Sequence, residues 1–367
     1  QMCIRDRETI ATWNIGLDMS FLNSRLNFTG DYFIRDTEGM LAKSYVLPSV
    51  FGAKEPKENC ADLRTKGWEL SLNWNDSFAL MGKRFNYTVS ASLGDNKTVI
   101  TKYNNPEKLL TDYYEGMVLG EIWGYRIDGL FASDEEATEY TSKINQDFVN
   151  ARILSDKVEP YYRAGDLKFR DLDNNNVINK GDDTVYDPGD REIIGNETPR
   201  YNYSFRLGAD WNGFDLGVFF QGVGKRDWYP SHLSTGFWGP YARAFTSFIP
   251  ENFMDQCWSE ENPGGYLPRF RGYQTFADSQ LGVNNDRYLQ DASYIRLKNL
   301  TVGYTLPVLK KVFTKLRVYF TGENLWYWSP MKKYTKYIDP EAAGGNGNTG
   351  MAYNYSRNFS VGVDITF

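Results

Sequence analysis

The sequence predicts an all-β chain whose strands cross a lipid bilayer as the wall of a barrel. Three observations carry this. Apolar and polar residues alternate at period two in segment after segment, the last such segment runs to the final residue, and short turns alternate with very long loops. Period two puts one row of side chains on each face of a strand. A barrel in lipid turns the apolar row outward and the polar row toward its lumen.

The first segment alternates Trp13, Ile15, Leu17, Met19 and Phe21 with Asn14, Gly16, Asp18 and Ser20. Leu22 to Arg25 turns the chain, and Leu26 and Phe28 begin the return. Trp68, Leu70, Leu72 and Trp74 form the next apolar row, then Phe85, Tyr87, Val89, Ala91 and Leu93, with the Leu80 to Arg84 turn between them. Tyr201 to Trp211 alternates again, and Asn212-Gly213 makes a two-residue hairpin turn into Phe214, Leu216, Val218 and Phe220. Leu300, Val302, Tyr304 and Leu306 stop at Pro307, and Leu316, Val318 and Phe320 follow. Phe359, Val361, Val363, Ile365 and Phe367 close the chain, an apolar row ending on an aromatic carboxyl terminus as barrel-closing strands do. This predicts roughly ten strands, each near the 9–11 residues that a tilted strand needs to cross a bilayer.

The long connections fall at about 37–63, 100–197, 224–289 and 329–354. Long loops on one side and tight turns on the other are a barrel habit, whereas a compact soluble domain rarely carries loops of this length. Within the second loop, Ser133 and Glu136 fit a capping box ahead of an acidic helix. Aromatics make up 16% of the chain, and Trp13, Trp68, Trp74, Trp211, Trp326 and Trp328 sit at strand ends as interfacial girdles do. Mean hydropathy is -0.55, and no apolar run is long enough for a membrane helix. The net charge of -6 and the scattered Lys and Arg argue against a nucleic-acid partner. Residues 1–7 match no signal peptide and read as a non-native leader or assembly scar, leaving 8–367 as barrel. Cys60 and Cys257 read as two thiols more readily than as a disulfide.

Several segments match, in order, a family of known fold. They are Lys66 to Trp74, Gly165 to Asp171, Ile194 to Tyr201, Phe214 to Gly222, Leu289 to Pro307, Leu316 to Tyr319, Gly322 to Leu325, Asp339-Pro340-Glu341 and Arg357 to Phe367. The chain resembles the C-terminal part of SusC/RagA-type TonB-dependent outer-membrane transporters of Bacteroidetes. The resemblance implies a 22-stranded antiparallel barrel, of which this chain supplies the last ten or so strands, without the plug. It implies import of oligosaccharides or peptides, driven by the TonB–ExbB–ExbD complex through an N-terminal part. It also implies a SusD-like surface lipoprotein as lid, insertion by the barrel assembly machinery, and outer-membrane lipid around the wall. A fragment of this kind would not transport alone, and an open half-barrel would expose two unpaired edges.

Candidate sites are few. Asp171, Asp173, Asn175, the Val177 carbonyl and Asp182 follow the spacing of a calcium loop, with Asn176 where glycine usually stands. Two readings stand there: a structural Ca²⁺, or a solvated Asp/Asn turn; no other cofactor is required. Trp228, Tyr229, Phe237, Trp238 and Tyr241 would contact substrate, pack on the lid, or pack on neighbouring loops. Arg206, Asp210, Asp215, Gln221, Arg317 and Asp364 fall on the polar face and should line the lumen or touch the plug. His232 is the single histidine, and no phosphate loop or nucleophile elbow occurs, so the chain reads as no enzyme. The rival from another class is a soluble or surface-attached glycan-binding β-sandwich, which would bury its apolar faces in one core.

Overall fold

The computed structural model describes residues 8–43, 57–155, 161–245, 247, 249–276, 279–307 and 314–367. The leader at 1–7 and part of the first long loop lie outside them.

Nine strands form one antiparallel sheet in chain order. They are β1 (Thr9–Phe21), β2 (Leu26–Lys43), β3 (Lys57–Leu80), β4 (Lys83–Lys102), β5 (Arg200–Trp211), β6 (Phe214–Lys225), β7 (Tyr294–Leu306), β8 (Lys315–Trp328) and β9 (Asn358–Thr366). At one end of the sheet three connections are tight. Leu22, Asn23 and Ser24 turn β1 into β2 with φ of 56°, 57° and 63°. Met81-Gly82 and Asn212-Gly213 make two-residue turns in which both residues have positive φ, the geometry that matches strand twist. Every connection at the other end is long. The loop expected over 37–63 is shorter than that. Residues 37–43 and 57–63 pair with each other, with a bulge around Gly39, and so extend β2 and β3.

Register keeps like with like across the sheet. Leu17, Gly30, Leu70, Leu93, Tyr203, Gly222, Ile295 and Trp328 sit opposite one another strand by strand. One residue further along, on the other face, the row is Asp18, Thr29, Ser71, Ser92, Ser204, Gln221, Arg296 and Tyr327. A shift of one residue in any strand would move its apolar set to the polar face. Hydroxyls hydrogen-bond along the polar row, Thr29 donating to Asp18 at 2.7 Å and Ser92 sharing a 2.7 Å bond with Ser204.

The apolar face is bare. Val361 is 77% exposed and Phe359 65%, and Ile15, Leu72 and Phe214 are exposed too. Among the described residues the remaining sheets are two-stranded, and none covers this face. That overturns the β-sandwich expectation, which needs a second sheet packed there. The hydrophobic core lies instead in the loops: its largest cluster runs from Tyr125 to Ala343, with no wall-strand residue in it. Among the described residues no helix is long and apolar enough to cross a membrane.

Charges bracket the bare band. On β3 the outward residues are Arg64, Lys66, Trp68, Leu70, Leu72, Trp74 and Asp76. Arg64 pairs with Asp36 at 2.6 Å above the band, and Arg25 with Asp76 at 3.2 Å below it. Lys66 to Asp76 is ten residues, about 34 Å along the strand at about 3.4 Å per residue. At a tilt of about 40° this gives about 26 Å of height, the height of the lipid-facing band of a membrane barrel.

Candidate functional site

The inner face carries Arg317, Asp215 and Asp364 as one ion-paired group. Arg317 donates to Asp215 at 2.6 Å and to Asp364 at 3.0 Å. It reaches Asp215 on β6 across β7 because Gly303 lies between. A Cβ there would meet Asp215 Oδ1 at 2.4 Å and Arg317 Nε at 2.6 Å. Asp210 accepts from Asn86 at 2.8 Å, and Arg206 lies 5.2 Å over the Phe219 ring. Gln221 stands between Ser204 and Arg296 in the polar row.

Where β7 leaves the wall, Arg296 and Lys298 meet the loop carrying Asp339-Pro340-Glu341. Arg296 Nη2 donates to Asp339, and Lys298 Nζ lies 2.8 Å from both Glu341 oxygens. Tyr327 and Tyr355 flank the guanidinium at 4.7 and 5.1 Å. Charges this far from water need such partners.

The five loop aromatics are placed in the loop core. Trp228, Tyr229, Phe237, Trp238 and Tyr241 are buried, with Phe237 edge-on to both Trp228 and Trp238 at 6.0 and 4.7 Å. Trp238 Nε1 donates to the Pro230 and Ser231 carbonyls, and Tyr241 Oη to the Pro268 carbonyl at 2.7 Å. The five side chains thus pack against one another and against neighbouring loop backbone. Cys257 lies in the same core, where burial pushes its thiol up, and it forms no disulfide with Cys60.

The calcium-loop residues come together only in part. Asp171 and Asp173 converge with Asp190, their ligand oxygens all within 4.8 Å of one another. Asp182 does not join them; its backbone N–H donates to Asp187 instead. Asn175 Oδ1 accepts from the Val177 N–H at 2.7 Å, and the Val177 carbonyl from Asn179. Asp190 is wholly buried and receives the Leu172 and Asn179 N–H groups at 2.8 Å each. Burial, with the Asp173 and Asp171 carboxylates beside it, raises its pKa above the usual carboxylate value. Three oxygens at this separation suit a hard cation, whose oxygen ligands stand about 2.3–2.6 Å away. No spacing rule could have found Asp190, which comes from beyond a second turn. The nearby helix α1 (Asp134–Lys143) starts as its capping box predicts, Ser133 Oγ accepting from the Glu136 N–H.

A cleft of about 490 Å³ opens where three long loops meet. Glu121, Trp123, Glu197, His232, Asn284 and Asn348 line it. Glu121 is committed to Tyr114 Oη at 2.6 Å and to the Val118 N–H at 2.9 Å. Glu197 and His232 are exposed to it, and Asn284 donates to the Trp123 carbonyl at 3.2 Å. One carboxylate, an imidazole, two amides and an indole can hold a ligand rich in hydroxyls or amides. Sequence reading missed this cleft because its lining comes from three separated segments.

No family model matches the chain. Curated relatives do, along nearly its whole length. TonB-dependent receptor P3 of Formosa agariphila is 27% identical over 98% of this chain and 34% of that protein. The TonB-dependent receptor SusC of Bacteroides thetaiotaomicron is 23% identical over 98% of this chain and 32% of its own length. The chain is a homologue of TonB-dependent receptors, SusC among them. It spans about a third of the length of the curated relatives it matches. Among solved structures, the RagAB peptide transporter superposes with a TM-score of 0.67 at 21% identity, covering 98% of this chain and 35% of that one. The fold is therefore part of a TonB-dependent receptor barrel, with nine wall strands where roughly ten were expected.

Proposed function

We propose that this chain forms wall and surface loops of an outer-membrane nutrient importer energised by TonB. The observation that carries the reading is the one-sided wall. Its apolar band, bare and about a bilayer tall, would face lipid, and its polar face would line a lumen. The folded loops at one end would face outward and meet a SusD-like lipoprotein. The cargo is oligosaccharide or peptide, and the cleft between the loops is where its hydroxyls or amides would be held. Relatives named as receptors and transporters support a carrier and not a catalyst. The Asp171, Asp173 and Asp190 oxygens would hold a structural Ca²⁺, whose contribution is to cross-link the ends of the 171–190 loop.

The test is uptake. Cells deleted for the gene, or for TonB, are compared with wild type for accumulation of labelled oligosaccharide and peptide mixtures. Loss of one cargo class in both mutants is the expected result; unchanged uptake of both classes would overturn the reading.

A further inference from the structure

Above the apolar band, on the outward face, two lysines stand directly opposite each other. Lys66 on β3 is the register partner of Lys97 on β4, and both are exposed. Side chains so placed have Cβ atoms about 4.5–5.5 Å apart, and like charges there repel. Each face assignment is fixed by alternation. Leu70 and Leu72 share the Lys66 face, and Ala91 and Leu93 share the Lys97 face, with no register shift between Leu63 and Leu80.

The acidic neighbours are already engaged. Asp36 attracts Lys66 from a distance, but both its oxygens are hydrogen-bonded by Arg64, at 2.6 and 3.1 Å. Asp95, two residues before Lys97 on the same face, is gripped through both oxygens by Arg200. The four cations and two carboxylates therefore leave two uncompensated charges. No hydrogen bond or ion pair holds either lysine among the described residues.

Their position gives the repulsion a purpose. One row nearer the bilayer are Tyr32 and Trp68, and the Trp13 ring stands edge-on to Tyr32 at 6.3 Å. Amphipathic rings of this sort lie at headgroup level. We propose that Lys66 and Lys97 bind a phosphate group on the headgroup of an outer-leaflet lipid. Its several acceptor oxygens can bridge two ammonium groups that otherwise repel, while its acyl chains lie along the bare apolar wall. The site rests on the orientation proposed above, with long loops outward, but not on any cargo.

The test uses the detergent-purified protein with bisphosphorylated lipid A, binding being read by native mass spectrometry and by a shift in thermal unfolding. Wild type should bind this lipid at least tenfold more tightly than enzymatically dephosphorylated lipid A. The double variant Lys66→Gln/Lys97→Gln should lose that preference. Heat-modifiable gel mobility reports whether the double variant has assembled; if it has not, the single variants are read, each with a several-fold loss. Equal binding of the two lipids by wild type overturns the proposal, as does an unchanged preference in the assembled variants. A full response to inorganic phosphate alone would make this a free-phosphate site and overturn its assignment to lipid. Lipid binding without nutrient uptake would sink the import reading and leave this site standing.

Discussion

Arg296 and Asp339, 43 residues apart, form an ion pair in which both side chains are almost completely buried. The pair fastens a surface loop to the top of strand β7, and Glu341 with Lys298 doubles the attachment. Removing one partner of a buried pair strands the other, at about 3–5 kcal/mol, whereas replacing both by apolar groups costs far less. Asp339→Ala should therefore free the 329–354 loop, read as new protease cleavage there in detergent-solubilised protein. Arg296→Met combined with Asp339→Leu should restore part of the protection. A loop equally resistant in the single variant would show that Glu341 alone holds it.

Asp190 has a raised pKa, chiefly through burial. Its contribution to stability is thus fully present below the unfolded carboxylate range and is lost as pH rises through the higher folded value. Without divalent cations, backbone hydrogen exchange over 171–190, corrected for intrinsic pH dependence, should speed up across that rise. Millimolar Ca²⁺ should slow it at neutral pH, and Asp171→Asn/Asp173→Asn should abolish the calcium effect. Identical exchange with and without Ca²⁺ in the wild type would leave a solvated turn.

Gly303 leaves space for the Arg317–Asp215 bridge. Gly303→Ala should cost about 1–3 kcal/mol, as overpacking does, seen as a lower urea midpoint for the assembled barrel. Gly208→Ala is the control, since its Cβ would meet nothing nearer than Thr88 at 3.8 Å.

On the last strand the two faces should answer differently to the same residue. Val361→Arg puts a charge toward lipid, at about 2–4 kcal/mol near mid-bilayer, and should reduce assembled protein in outer-membrane fractions. Ser360→Arg, on the polar face, should assemble close to wild-type levels. Equal yields would contradict the orientation of the wall.

Strand content and facing were legible because period two is a local signal. Trp13 to Phe21 and Phe359 to Phe367 state their two faces without reference to anything distant. Turn chemistry was legible at Asn212-Gly213 for the same reason. Strand ends were less so: residues 57–63 carry no clean alternation, and they pair only because 37–43 lie alongside. The loop aromatics could be counted but not placed, since a ring that stacks on a ligand and a ring that fills a core have the same composition.

The sequence by itself determined the alternating apolar rows, the tight turns and the side of each strand on which charge falls, all set within a few residues of backbone. Tertiary structure alone decided that Asp190 and not Asp182 joins Asp171 and Asp173. It alone buried Trp228 and Trp238, closed Arg296 on Asp339, and set Lys66 against Lys97. Those pairings join residues tens of positions apart, and their energies depend on distance and burial, which no local pattern encodes.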